Sequence, residues 1–253
     1  MATLDTIDGI RTQGLTEDAV SEMYALVRRC AEAADACICT TPELAAPLRR
    51  IGKVTHVVPN GFDADTFMRS RLAVRVRQQG VDDGLCRIGY AAGSRTHQRD
   101  FACLAEPLAE VLQAYPHARL VVFRSAFDLD EFAAFDDLRD QVEWRDIVPL
   151  PSLPTELARL DVNLAPLEVG NPFCEAKSDL KFFEAALVDV PTVASPTGPF
   201  VDIIHDGVDG FLAGDAAAWT AALDQLVADP DRRRAVAVAA RHRVTWDLGP
   251  LRR

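Results

Sequence analysis

The chain has 253 residues, 49% of them hydrophobic, enough for one large core or two small ones, and a formal charge of −11. That charge argues against nucleic acid or an anionic membrane surface as the main partner, so an anionic ligand must be caught by a local basic cluster. No apolar run reaches the ~18 residues of a membrane span, and the opening MATLDTIDGIRTQG lacks the basic-then-apolar form of a signal peptide.

Six cysteines (30, 37, 39, 86, 103 and 174) and five histidines (56, 97, 117, 205 and 242) are scattered without metal-ligand spacing. Reduced, mostly core thiols are expected. So is a cytoplasmic location, compatible with peripheral attachment at the inner face of the membrane. No metal site and no cofactor are predicted.

In chain order, residues 1 to about 15 read as irregular. From Thr16 a helix is predicted, since Val20, Met23, Val27, Cys30 and Ala34 recur at three- and four-residue steps. Ala36 to Cys39 follows as a short buried strand, with Cys37 and Cys39 on one face. Thr41-Pro42 opens a second helix, which Pro47 is expected to shorten. Val54 to Val58 is a strand ended by Pro59-Asn60-Gly61. Residues 62 to 84 break the periodicity and read as a linker. A second α/β pattern begins with a strand at Cys86 to Ala91, a loop at Gly93 to His97 and a helix over Phe101 to Tyr115. Strands at Arg119 to Arg124, Val142 to Ile147 and Val162 to Pro166 follow, with a short helix at Pro154 to Leu160. Later helices are expected at Ala216 to Val227 and from Pro230. This alternation predicts a doubly wound parallel sheet, a Rossmann-like α/β fold, preceded by a β-α-β unit. The predicted organisation is that unit over 1–61, a linker over 62–84, the main domain over 85–246 and a tail over 247–253.

Ligands of such sheets lie beyond the carboxyl ends of the strands. The loops expected there carry Gly93, Ser94, Arg95 and His97, then Arg124-Ser125, Glu168 with Asn171, and Ser195, Thr197 and Gly198. Gly93 and Ser94 allow backbone to approach a phosphate, and Arg95 can pair with it bidentately. An ordinary strand-to-helix connection capped by Thr96 is the alternative. Gly198 before Pro199 presents free N–H groups, or simply a turn.

The segment 171–200, NPFCEAKSDLKFFEAALVDVPTVASPTGPF, is the most informative. A helix opening near Ser178 is predicted, with Ser178 as N-cap and Asp179 in the first turn. The chain has three lysines, and Lys177 and Lys181 both fall here, where a cation opposes the helix dipole. A bound anion would offset that conflict. Lys177, Lys181 and Glu184 stand at i, i+4 and i+7 on one helix face, a spacing suited to a diphosphate and a sugar hydroxyl. A solvated face with a weak Lys181–Glu184 pair is the competing reading. A GxGxxG turn after the first strand, a GxxxxGK[ST] loop and a GxSxG elbow are all absent from the sequence.

Taken together, VVPNGFD (57–63), RIGYAAGSRTH (87–97), AKSDLKFFEAALVDVPTVASPTGPF (176–200) and IIHDGVDGFLA (203–213) resemble the group 1, family 4-like glycosyltransferases of the GT-B fold. The resemblance covers roughly residues 20 to 246. It implies a nucleotide-sugar-binding half with a truncated acceptor-side half. Under it, Glu184 matches the second glutamate of a paired motif and holds the donor ribose, while Lys177 and Lys181 face the diphosphate. Gly93 and Ser94 then match the loop at the phosphates and Gly198 the loop near the donor sugar; Arg95, His97, which could bond a sugar or phosphate or be a plain surface residue, and Ser178 complete the candidate donor-binding positions. The family separates its two glutamates by seven residues, whereas Glu175 and Glu184 are separated by eight and Ala176 takes the expected place.

The resemblance thus implies a retaining, metal-independent hexosyltransferase of polysaccharide-type biosynthesis. Its donor would be a UDP- or GDP-sugar and its acceptor a glycan, lipid or small molecule. A catalytically silent nucleotide-sugar-binding or assembly module is the alternative. A sugar-nucleotide epimerase would need acid/base residues in a complete first domain. An exposed sheet remnant predicts association, as a homo-oligomer or with a partner chain supplying the acceptor domain.

Overall fold

A computed structural model describes residues 16–92, 98–124 and 127–249. The N-terminal unit comprises α1 (Glu17–Ala33), β1 (Ala36–Cys39), α2 (Pro42–Arg50) and β2 (Val54–Val57), with β1 and β2 parallel. Thr16 and Thr41 cap the two helices by accepting the N–H of Ala19 and Leu44. Pro47 does not shorten α2, which continues to Arg50; its missing N–H forfeits one bond in a helix otherwise well capped.

Strand β1 is not buried as expected. Side chains alternate across a strand, and Ala36, Ile38, Val54 and His56 form one exposed face, with Ile38 74% and Val54 61% accessible. Cys37, Cys39, Thr55 and Val57 line the better-covered face. The apolar stripe of α1 is likewise uncovered beyond Val20, since Met23 and Val27 are exposed.

The segment read as a linker contains α3 (Ala64–Gln78), capped by Asp63. Its arginines lie all round the helix and hide the usual amphipathic signal. It docks through small residues, Ser70, Ala73 and Val74, and through Arg71, whose guanidinium bonds both oxygens of Asp189 at 3.2 and 3.0 Å.

The main sheet contains β3 (Cys86–Tyr90), β4 (Ala118–Phe123), β5 (Val142–Arg145), β6 (Val162–Ala165), β7 (Thr192–Ala194) and β8 (Phe211–Leu212). Their order is β5-β4-β3-β6-β7-β8, all parallel. This is the doubly wound order whose direction of winding reverses between β3 and β6. The predicted helix at 101–115 is broken into α4 (Gln98–Ala102) and α5 (Ala105–Ala114). Pro107 cannot donate to the carbonyl of Cys103, so the helix restarts with Pro107 in its first turn. A 3₁₀ segment at Ala133–Gln141 and α6 (Leu153–Leu157) flank β5. The remaining helices are α7 (Pro172–Glu175), α8 (Leu180–Leu187), α9 (Gly198–Ile203), α10 (Ala216–Ala228) and α11 (Pro230–His242).

Alternation in the strands sorts the core into two layers. Ile88, Tyr90, Leu120, Val122 and Leu164 pack with α5 and α10, where Leu108, Leu112 and Trp219 are fully enclosed. Val121 faces the opposite layer, with Ala73, Leu157 and Ala185 from α3, α6 and α8 and with Leu160 from the turn after α6. Gly89 belongs to this second layer: a Cβ there would fall 2.3 Å from Leu160 Cδ1, so the strand needs a residue without a side chain.

Candidate active site at the carboxyl edge of the sheet

The helix predicted to open at Ser178 begins at Leu180, with Asp179 as its N-cap. Ser178 is therefore not the cap, and Lys177 precedes α8 instead of lying one turn back on the same helix face. The cause is local. The chain first makes the short helix α7, capped by Asn171 with Pro172 at its start, and then turns once more before α8.

Lys181, in the first turn of α8, points at the place where the winding reverses. Its Nζ donates to the carbonyl of Ala91, just past the end of β3, and lies 5.3 Å from the centre of the Tyr90 ring. The start of α8 is anchored by Asn163 of β6, whose Nδ2 donates to Lys181 O and to Thr192 Oγ1, both at 3.1 Å. Burial pulls the Lys181 ammonium pKa down to about 8; the Glu184 carboxylate opposes that pull and the Lys177 charge adds to it. Burial raises the Glu184 carboxyl above its usual range, against the charge of Lys181.

Lys181 and Glu184 together line a cavity of about 310 Å³ whose other walls include Ala91, Phe123, Val148 and Leu153. The amine and the carboxylate therefore share an apolar recess, not a solvated face. Phe183 and Leu187 of α8 are buried, whereas Leu180 is 39% exposed.

Lys177 is committed elsewhere. Its Nζ lies 2.7 Å from Asp100 Oδ2 and 5.1 Å from the centre of the Phe173 ring, and the Cys174 thiol bonds the other Asp100 oxygen at 3.3 Å. Asp100 sits on α4, directly after residues 93–97. Gly93, Ser94, Arg95 and His97 themselves lie outside the described residues, as does Ser125. Arg124 forms an exposed pair with Asp146, and Glu168 joins Arg99 to Asn171 at 3.2 and 2.7 Å.

Gly198 begins α9, but its N–H is not free as expected: it donates to Glu175 Oε2 at 2.9 Å. The other Glu175 oxygen accepts the Gly170 N–H at 2.8 Å. Sequence reasoning noted that Glu175 stands one residue too far from Glu184 for the family spacing, and the turn between α7 and α8 separates the two. Glu43 was not singled out at all. It lies on α2, and nothing in the local sequence of that helix marks it as reaching the loop before α9.

A doubly wound sheet with a half-buried amine and carboxylate at its reversal point has these groups at the carboxyl edge, where α/β sheets of this order generally take ligands. The chain belongs to the group 1 glycosyl transferases, whose family model matches residues 86–229. Among similar curated proteins is a D-inositol 3-phosphate glycosyltransferase of Xylanimonas cellulosilytica, 28% identical over 270 residues, spanning 97% of this chain and 62% of the relative. The chain thus spans less than two thirds of that relative's length. Among solved structures, Anabaena HepE in complex with UDP and glucose superposes with a TM-score of 0.68 at 16% identity, over 94% of this chain and 65% of that one. The C-terminal domain of a Francisella tularensis group 1 glycosyl transferase, LpcC, is covered completely by 75% of this chain, with a TM-score of 0.53 at 18% identity. These likenesses establish a GT-B type fold.

Proposed function

We propose that this chain binds a nucleoside-diphosphate hexose, with UDP or GDP as nucleotide, and takes part in retaining transfer of the hexose to a hydroxyl acceptor. The observation that carries the reading is the placing of Lys181 and Glu184, both half-buried, in one largely apolar recess at the reversal point of the sheet. The apolar walls suit a nucleobase, the Glu184 carboxylate suits a ribose diol, and the Lys181 ammonium suits the diphosphate. The relatives, a D-inositol 3-phosphate glycosyltransferase and a structure holding UDP and glucose, support the same reading.

In the reaction, the bond between the anomeric carbon and the diphosphate oxygen breaks while the acceptor oxygen bonds to that carbon. The acceptor's proton passes to the departing diphosphate. Charge accumulates on the leaving group, and Lys181, with Lys177 when released from Asp100, would neutralise it in a water-poor recess. Removing one such donor typically costs ~2.7–4 kcal/mol of barrier.

A second reading is favoured by the N-terminal unit, whose two strands present an exposed apolar face. Under it the chain binds the sugar nucleotide but is catalytically silent without a partner chain that supplies acceptor-side residues. One pair of measurements separates these readings. A thermal-shift screen against UDP, GDP and their sugars tests donor binding, where a ligand at 100 times its Kd adds ~2.7 kcal/mol of apparent stability. Release of nucleoside diphosphate with an acceptor then tests turnover. Binding with turnover supports the enzyme, binding alone supports the module, and no binding rejects both.

A further inference from the structure

Strand β6 is enclosed on both faces, and parallel strands so placed normally read as unbroken apolar runs. Asn163 breaks that rule where the winding of the sheet reverses. It is 2% exposed and stands between Val162 and Leu164, both fully enclosed. Register sets it beside Gly89 of β3 and Thr192 of β7, so the three form one row across the sheet. Thr192 is equally enclosed, and its Oγ1 accepts from the Asn163 amide at 3.1 Å. The same amide nitrogen also donates to the main-chain carbonyl of Lys181, in the first turn of α8, at 3.1 Å.

Folding does not require this polar pair. A buried amide and hydroxyl must recover the hydrogen bonds they lose to water, whereas a leucine and a valine of similar shape would fill the row without that demand. Nor does α8 need Asn163 to satisfy its backbone, since carbonyls at the start of a helix are met by N–H groups one turn on. What the bond fixes is position. One residue supplies both the carbonyl that Asn163 holds and the amine that enters the recess, and Asn163 lines that recess with Lys181 and Glu184. If the start of α8 slid along the sheet or lifted from it, the amine would move with it.

We infer that Asn163 and Thr192 are positioning residues, which hold the first turn of α8 so that the Lys181 ammonium faces the diphosphate of the bound nucleotide. This rests on the nucleotide-sugar reading above and adds to it two residues that act through Lys181. Thr192 orients the Asn163 amide from the neighbouring strand, and Asn163 passes that orientation to the helix. The pair thus serves ligand capture at a place in the sheet where stability alone favours apolar side chains.

Titration calorimetry and thermal melts of wild type, the double variant Asn163→Leu with Thr192→Val, Lys181→Met and the triple variant test this. The probes are uridine, UDP, guanosine and GDP. The double variant replaces both polar partners with apolar groups, so its melting temperature should equal or exceed that of wild type. Its nucleoside affinity should stay within about twofold, while the extra affinity conferred by the diphosphate should fall about tenfold. The triple variant should lose no more of that extra affinity than Lys181→Met alone, because residues acting through one amine do not add. Thr192→Ser, which keeps the hydroxyl, should behave as wild type. Full diphosphate affinity in the double variant, or additive losses in the triple variant, would overturn this inference while leaving nucleotide binding in place. A lowered melting temperature with nucleoside and diphosphate affinities lost together would reduce the pair to packing and overturn it too. Failure of wild type to bind any of the four probes would remove the reading beneath it as well.

Discussion

The ammonium of Lys177 and the carboxylate of Asp100, 77 positions apart, meet at 2.7 Å and tie the turn before α8 to α4. Asp100 is 4% exposed and also accepts from the Cys174 thiol. Removing the cation leaves a buried carboxylate short of its main charge partner, a change that costs ~3–5 kcal/mol in buried pairs. Lys177 retains some exposure, so Lys177→Ala should destabilise toward the lower end of that range, measured by urea unfolding. A loss below ~0.5 kcal/mol would mean that the pair does not hold the two helices together.

Lys181→Met should behave in the opposite way. The wild-type amine is desolvated, and its charged form is disfavoured by the burial that lowers its pKa. Replacing it with an apolar side chain of similar length should leave the melting temperature unchanged or higher. Nucleoside-diphosphate affinity should nevertheless fall at least tenfold, because the charge facing the phosphates is gone. Titration calorimetry beside a thermal melt checks both halves.

The same amine sets a pH dependence. Its pKa is about 8 in the folded chain, against an ordinary value of 10.5. Between those limits the unfolded chain carries more protons on this group, so its contribution to stability rises as pH increases from about 8 to about 10.5. Ligand binding runs the other way. A diphosphate prefers the ammonium, so affinity should weaken as pH climbs through 8 and binding at pH 8 should take up protons. Calorimetry in buffers of different ionisation enthalpy measures that uptake.

Asp189 occupies left-handed backbone at φ 58° while pairing with Arg71 at 3.0 Å and Arg241 at 2.6 Å. Asp189→Ala and Asp189→Gly both lose these pairs, but only glycine relieves the backbone. The glycine variant should therefore be the more stable of the two by ~1 kcal/mol. Equal stabilities would show that the turn is not strained.

Gly89→Ala tests the packing of β3. The added methyl collides with Leu160, which is 0% exposed and has no free space to enter. A loss of ~1–3 kcal/mol is expected from overpacking, with Leu160→Ala in the same chain restoring part of it.

Much of the main sheet could be read from residue patterns. Its strands are short apolar runs, and the one expected from Val162 begins at that residue. What escaped detection depends on tertiary context. Helix α3 docks through small side chains and arginine pairs, which leave no apolar periodicity. The turn after α7 moved Lys177 off the helix and onto Asp100, a partner that no sequence spacing reveals. In the site, Lys181 and Glu184 share one helix and could be paired by their spacing. Glu43 and Glu175 converge on Gly198 only because α2 comes to rest against the loop before α9.

The hydrophobic clusters of the described residues draw nothing from β1, β2 or α2. Heat should therefore peel that appendage away while the larger sheet still stands, giving a scanning calorimetry trace with two steps. Because Thr41 and Glu43 ride on the looser piece, their approach to the Ala176 carbonyl and to Gly198 would be lost in the first step, and a ligand gripping both pieces would draw the two transitions together.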